Sequence, residues 1–236
     1  MKTLGLSIPL LDEQDGCARE ARALVAALDA ASIPHHIVLV NNGSTDATPQ
    51  IIEDLARELP GVQALHLAQN AGYGGGILAG LAALDTDWQG WHWGDGQIRP
   101  AIVVAACQRM ARGDLDLVKA RRVQRDDGWQ RWVVSTGYNR VACPTLGVQL
   151  PDVNGCPKIF TRQALARLAP RSRDWLLDLE VVLGAQRAGM AVDDVQAIMH
   201  ARQGGASKVR LATVAEFVRA MALVRAGRAP WERNGR

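Results

Sequence analysis

Short apolar runs alternate along this chain with longer stretches in which apolar residues recur every three or four positions. That is the pattern of a mostly parallel sheet covered by helices. Residues 3–8 (TLGLSI) predict a first strand, 15–31 (DGCAREARALVAALDAA) an amphipathic helix, and 35–40 (HHIVLV) a second strand running into NNGSTD. Together they make one βαβ unit. A helix over 47–58, a strand over 62–67, a Gly-rich turn at 70–76 leading into a helix to about 84, and a strand over 88–93 continue the alternation. Pro100 opens a helix over 100–112, and a strand at 115–119 completes five strand candidates in the first half.

The second half is less regular. It holds a basic stretch from Lys119 to Arg131, a helix over 131–146, an extended segment at 152–161, a helix over 177–188, a strand at 191–198 and a last amphipathic helix over 211–227. The expected organisation is one α/β domain over 1–210 followed by an amphipathic helix and tail over 211–236, without internal repeats.

Composition narrows the function classes. With 48% hydrophobic content in 236 residues there is ample material for one large core. The net charge of +3, from 27 basic and 24 acidic residues, is too mild to imply a nucleic-acid partner. Cys17, Cys107, Cys143 and Cys156 show no zinc-ligand spacing and read as reduced core thiols. The opening MKTLGLSIPLLDEQDG is too short an apolar run for a signal peptide, and no window approaches the ~20 apolar residues of a membrane span. A cytoplasmic protein, peripheral on the inner membrane face at most, is expected.

Three loops follow predicted strands at their carboxyl ends, the edge at which open α/β sheets bind ligands. They are SIPLLDEQ, VNNGSTDAT and WGDGQIRP. In the second, Asn41, Asn42, Ser44 and Asp46 crowd hydrogen-bonding groups around Gly43; an Asx turn with Asp46 capping the next helix is the plainest account of them. In the third, Asp95 sits between two glycines, where a carboxylate is hard to explain as packing. One carboxylate suffices for Mg²⁺ or Mn²⁺ when substrate phosphates complete the shell, and Gln97 adds an oxygen or orients a water.

Further along, Arg121, Arg122, Arg125 and Arg131 are dense enough to grasp an anionic acceptor by forked hydrogen bonds. A phosphate acceptor needs no strong base. A hydroxyl acceptor needs a carboxylate, for which Asp178 and Glu180 in DWLLDLE are the candidates, although two residues apart on a helix they do not share a face.

These strings, in this order, resemble family 2 glycosyltransferases, particularly the polyprenyl-phosphate sugar synthases. SIPLLDEQ resembles I-P-x-x-N-E, with Asp12 at the usual Asn and Glu13 kept. VNNGSTDAT resembles V-D-D-G-S-T-D-x-T, NAGYGGGILAG resembles N-x-G-x-G-x-A-x-x-x-G, and GDGQIRP resembles D-x-D-G-Q-x-x-P. DVNGCPKIFTRQAL, DWLLDLE and ARQGGASKV look like later motifs of the same group.

The resemblance implies a GT-A fold and transfer of a sugar from a UDP- or GDP-sugar, with inversion, to an acceptor such as a polyprenyl phosphate. Pro9, Leu11 and Glu13 would border the base, and Asn42, Ser44 and Asp46 would hold base and ribose, with Asn42 where the family has Asp. Asn70 and Gly74 belong to the donor motif that follows. Asp95 and Gln97 would face the metal and diphosphate. Arg202 and Lys208 would lie on a lid closing over the diphosphate, Asn154 and Lys158 on an acceptor-side loop, and Asp178 at the family's position for an acceptor-side carboxylate. Trp93 falls where the family has the first Asp of D-x-D.

That substitution keeps open a non-catalytic nucleotide- or lipid-phosphate-binding protein. An NAD-binding oxidoreductase is a further alternative, because GYGGGI partly mimics G-x-G-x-x-G, although Ile77 takes the sixth position. The strings Asp85/Asp87 and Asp114/Asp116 precede strands, so they are expected on the wrong sheet edge. His200 reads as structural. The Arg-rich helix over 211–227 could lie on an anionic membrane, pack on the domain or form an oligomer.

Overall fold

The computed structural model describes residues 2–125, 147, 149–201 and 223. The predicted helix over 131–146, the Arg-rich helix over 211–227 apart from residue 223, and Arg131, Arg202 and Lys208 lie outside the described residues.

In chain order the elements are β1 (Leu4–Leu10), α1 (Cys17–Ala30), β2 (His35–Asn42), α2 (Thr48–Glu58), β3 (Val62–Leu67), α3 (Gly72–Ala82), β4 (Trp88–Trp91), α4 (Pro100–Met110), β5 (Leu117–Arg125), β6 (Lys158–Thr161), α5 (Arg162–Leu168), α6 (Leu177–Arg187) and β7 (Val192–Met199). The strands form one seven-stranded sheet in the order β3-β2-β1-β4-β6-β5-β7. Among the described strands only β6 runs antiparallel to its neighbours. It brings Lys158 level with Trp91 of β4 and with Lys119 of β5.

Period-two alternation decides which face each residue serves. Leu4, Leu6, Ile8 and Leu10 of β1 pack with Ile37 and Leu39 against residues of α1, α2 and α4. Val38, Val40, Leu117 and Phe160 join the opposite cluster, with residues of α3 and α6. Burying each such aliphatic side chain contributes roughly 1.5–3 kcal/mol. On that second face α3 comes very close to the sheet. A Cβ on Gly80 would lie 2.2 Å from Ser7 Oγ, so the pairing of small residues sets the helix–sheet distance.

Three elements depart from the sequence expectation. The glycines at 72–76 form the first turns of α3 and not a turn preceding it, and at Gly72 and Gly74 the backbone of residues 172–174 occupies the space a side chain would need. The sheet ladder takes in the first part of the basic stretch, since β5 continues to Arg125 with a register irregularity between Arg122 and Gln124. Helix α5 follows β6 without a loop, its first turn capped by Thr161, whose hydroxyl accepts from the Ala164 N–H at 3.1 Å.

Cys17, Cys107 and Cys156 are buried free thiols. Burial pushes Cys17 up to about 11 and Cys107 to about 12, leaving both protonated and unreactive at neutral pH. Among the described residues no helix is long and apolar enough to cross a membrane.

Candidate functional site

From β1 the chain winds outward through β2 to β3, then returns to lay β4 on the other side of β1. The loops leaving β1 and β4 therefore diverge and open a crevice at the carboxyl edge. Asp85, Asp87, Asp114 and Asp116 lie at the other edge: Asp87 accepts from the Thr3 N–H at 2.8 Å and Asp116 from the Ala191 N–H at 2.9 Å, both next to strand starts.

One wall of the crevice is a pair of loops tied together by six hydrogen bonds, one of them from the Thr45 hydroxyl to Asp12 Oδ1 at 3.3 Å. The Asp12 N–H donates to Ser44 Oγ (3.0 Å), Thr45 N–H to Asp12 Oδ1 (2.8 Å), Glu13 N–H to Thr48 Oγ1 (2.9 Å), Gln14 N–H to Asp46 Oδ2 (3.1 Å) and Ala47 N–H to Gln14 Oε1 (3.0 Å). The fold thus brings Leu11, Glu13, Ser44 and Asp46 together behind Pro9, which is drawn into β1 opposite Val40.

Asp46 also accepts from the Thr48 N–H at 2.9 Å, which makes the expected Asx turn, while the N-cap position of α2 falls on Ala47 and not on Asp46. Burial pushes its carboxyl up, yet the hydrogen bonds from Thr48 and Gln14 outweigh that and hold it below the usual range. Gly43 has φ +75°, and a Cβ there would sit 2.5 Å from the Asn70 nitrogen; both conditions demand glycine.

Behind this wall Asn42, Asn70 and Gly74 converge, bonded chiefly to protein. The Asn42 amide donates to Gly72 O at 3.0 Å and accepts from the Ala71 N–H at 3.0 Å, a pattern Asp could not reproduce. Asn70 Oδ1 accepts from the Gly72 N–H at 2.8 Å, at the start of α3. A Cβ on Gly74 would come 2.2 Å from Ser172 O, and the Gly75 N–H donates to Arg173 O at 2.9 Å. Gly72 and Gly74 therefore lie against the backbone of residues 172–174, while Gly76 lies against the side chains of Asn42 and Pro9.

The other wall is the loop after β4. Asp95 is half-buried, and its Oδ1 accepts from the Gln97 N–H at 3.1 Å. Gln97 is buried and exchanges hydrogen bonds with the end of β7: its side chain donates to His200 O (3.1 Å) and its carbonyl accepts from the His200 N–H (2.8 Å). Among the described residues no cluster of three or more His, Cys, Asp or Glu could hold a metal unaided. The Asp95 carboxylate does fit Mg²⁺ or Mn²⁺ arriving with a diphosphate, a mode in which phosphate and water oxygens supply most of the shell. His92, buried just before this loop, is pushed down to about 4 by burial and stays neutral.

The residues predicted for acceptor chemistry mostly bind one another or the backbone. Lys158 Nζ lies 2.5 Å from Asp178 Oδ1, both side chains buried. Asp178 Oδ2 accepts from Tyr73 OH at 3.1 Å, and Tyr73 accepts from Trp93 Nε1–H at 3.1 Å. Glu180 accepts from the N–H groups of Arg171 (3.0 Å) and Ser172 (2.8 Å), anchoring the segment ahead of α6.

Arg122, expected to grasp an anion, is instead buried against Asp152. Its backbone N–H and its Nε each bond Asp152 Oδ2, at 2.7 and 2.9 Å, and its guanidinium lies 5.9 Å from the centre of the Trp93 ring. Arg121 is partly exposed, 3.8 Å from Asp194. Asn154 is half-buried in the loop before β6.

Sequence reasoning missed Tyr73, Trp175, Asp152 and Lys119. Lys119 had a signal in its place within the apolar run LVKA: it is fully buried, held by the carbonyls of Pro151 and Asp152, and pushed down to about 8 by burial and then by the Lys158 charge.

Residues 17–169 match the family described as Glycosyl transferase family 2. The chain is 30% identical over 159 residues to an undecaprenyl-phosphate 4-deoxy-4-formamido-L-arabinose transferase of Edwardsiella ictaluri, covering 63% of this chain and 46% of that protein. It is 26% identical over 194 residues to a polyprenol monophosphomannose synthase of Mycolicibacterium smegmatis, covering 77% and 72%. The chain thus spans about half the length of the transferase it matches.

Among solved structures, mannosyl-3-phosphoglycerate synthase from Rubrobacter xylanophilus superposes with a TM-score of 0.73 at 14% identity, covering 96% of this chain and 73% of that one. Glucosyl-3-phosphoglycerate synthase from Mycobacterium tuberculosis, in complex with Mn²⁺, UDP and glucosyl-3-phosphoglycerate, superposes with a TM-score of 0.67 at 19% identity, covering 96% and 81%. At such identities the likeness establishes the fold, which is GT-A.

Proposed function

This chain belongs to glycosyl transferase family 2, and from that premise we propose that it transfers a sugar from a UDP- or GDP-sugar to a polyprenyl phosphate, with inversion. The observation that carries the choice of acceptor is the pairing of Asp178 with Lys158 and Tyr73, beside the use of Glu180 on two backbone N–H groups. Neither carboxylate is left as a ready proton acceptor for a hydroxyl. An acceptor that is already an anion needs none. The names of the curated relatives, a polyprenol monophosphomannose synthase and an undecaprenyl-phosphate transferase, point the same way.

In this reading the donor's base and ribose rest along the Pro9–Glu13 and Asn42–Asp46 wall, with the diphosphate towards Asp95. Asp95 would hold Mg²⁺ or Mn²⁺, which when bound would neutralise charge developing on the leaving diphosphate. An acceptor phosphate oxygen attacks the anomeric carbon from the opposite face, and the electron pair of the broken bond leaves with the nucleoside diphosphate. Arg121 and Asn154 lie on the acceptor side. Such an acceptor would bring the chain to the inner face of the membrane, as a peripheral protein. Trp93 in place of a carboxylate supports a second reading, a protein that binds the same ligands without turnover.

Transfer from radiolabelled UDP- and GDP-sugars to undecaprenyl phosphate in detergent tests both. Divalent-ion-dependent product that falls at least a hundredfold in Asp95→Ala supports the transferase. Nucleotide binding without product supports the second reading, and full activity in Asp95→Ala overturns the metal assignment.

A further inference from the structure

Four side chains from four elements form one continuous hydrogen-bonded chain that starts on the wall carrying Asp95 and runs to the acceptor-side pair Asp178 and Lys158. Trp93 Nε1 is 3.1 Å from Tyr73 OH, Tyr73 OH is 3.1 Å from Asp178 Oδ2, and Asp178 Oδ1 is 2.5 Å from Lys158 Nζ. Trp93 sits on the loop that carries Asp95, Tyr73 on the first turn of α3, Asp178 on α6 and Lys158 at the start of β6.

Elementary chemistry fixes the direction of every link. An indole N–H only donates. The Tyr73 oxygen must therefore accept from Trp93, and its single proton goes to Asp178, whose other oxygen takes the lysine. An aspartate at position 93 would reverse the first link, because a carboxylate only accepts, and would draw the Tyr73 proton away from Asp178. The residue that departs from the family's D-x-D is thus the one that sends the tyrosine proton to the acceptor side.

The ring of Tyr73 is held for this purpose from two directions. Trp175 stacks on it with centroids 4.5 Å apart and planes within 11°. The Gly75 N–H to Arg173 O bond and the close approach of Gly74 to Ser172 O fix the helical turn that carries it. Burial, and then the charge of Asp178, push the phenol well above its usual range, so it remains a donor.

We infer that Tyr73 is a positioning residue that couples the donor-side loop to Asp178 and Lys158, with Trp93 setting the direction of the relay. Nucleotide settling against the Asp95 loop then orders Trp93, Tyr73 and Asp178 together, and the acceptor phosphate binds a side already aligned. The coupling rests on the donor and acceptor sides assigned under the proposed function.

The test measures, by calorimetry on the full chain, the affinities of UDP with Mg²⁺ and of farnesyl phosphate, each with and without the other. The variants are Tyr73→Phe, Trp93→Phe and the double. In the wild type each ligand raises the affinity of the other about fivefold or more, equally in both directions. Each single variant removes that gain while leaving the separate affinities within about threefold, and the double variant is no worse than either. Gain retained in Tyr73→Phe, or a wild type that binds both ligands independently, overturns the coupling. A general fall in both affinities and in Tm with the gain intact assigns Tyr73 to packing alone and also overturns it.

A ligand-free measurement separates failure of the relay from failure of the functional reading. The indole ¹H–¹⁵N resonance of Trp93, identified by its loss in Trp93→Phe, shifts in both Tyr73→Phe and Asp178→Asn. If the wild type binds neither ligand, the proposed function falls and this resonance decides the relay. A peak unmoved in both variants sinks it.

Discussion

Lys158 and Asp178 form an ion pair 2.5 Å long in which neither side chain is open to solvent, beneath the crevice at the carboxyl edge of the sheet. Removing one partner leaves the other charge buried and uncompensated. Lys158→Met is expected to lower unfolding free energy by about 3–5 kcal/mol in urea titrations, whereas Lys158→Met combined with Asp178→Leu recovers much of the loss. A single variant as stable as the wild type would show that the pair contributes nothing.

Gly74→Ala places a methyl 2.2 Å from Ser172 O and 2.9 Å from Asp174 O. Neither is the end of a flexible side chain, so the backbone of the segment that positions α6 must move. A loss of about 1–3 kcal/mol is expected. Farnesyl phosphate affinity should fall further than UDP affinity, as calorimetry would register.

Burial alone would push the Asp152 carboxyl up, but the hydrogen bonds and charge of Arg122 outweigh it and hold the group below the usual aspartate range. A carboxyl depressed in the folded state stabilises it above the unfolded pKa, about 3.9, and that contribution disappears as pH falls through the folded value. Unfolding free energy measured from pH 6 down to pH 2 should therefore drop below about pH 4 in the wild type. Asp152→Asn starts lower and loses less over the same interval; parallel curves would contradict the assignment.

The alkaline side tests Lys119. Its folded value of about 8 lies below the ordinary lysine value of about 10.4, so between these the unfolded chain binds more protons and stability rises with pH. Cys17 and Cys107, raised by burial, act in the opposite sense above about pH 8.5. The diagnostic quantity is thus the difference between wild type and Lys119→Met. That difference should move in favour of the wild type by up to roughly 3 kcal/mol from pH 7 to pH 10, and a constant difference would argue against a depressed Lys119 ammonium.

Much of the fold is legible in local pattern. Leu4, Leu6, Ile8 and Leu10 alternate with small residues, and the segment Cys17–Ala30 repeats its apolar positions at helical spacing, so β1 and α1 follow directly from the sequence. The glycines of α3 mislead because intrinsic propensity argues for a turn, while the deciding contact, with the backbone of 172–174, comes from a distant part of the chain.

The candidate site shows the same division. Its loops and Asp95 are visible as strings following strands. The fates of Arg122 and Asp178 are not, since they depend on Asp152 and Lys158, partners that only the reversed strand β6 and the loop before it bring alongside. Trp93 is conspicuous in the sequence as a departure from the family pattern, whereas the hydroxyl it meets sits on α3.

The six hydrogen bonds between the loops after β1 and β2 leave that wall little freedom before any ligand arrives. Its ordering entropy is lost during folding, so a nucleotide docking there immobilises few additional torsions. Discrimination among donors should then be expressed in how long each stays, with dissociation rates differing far more than association rates.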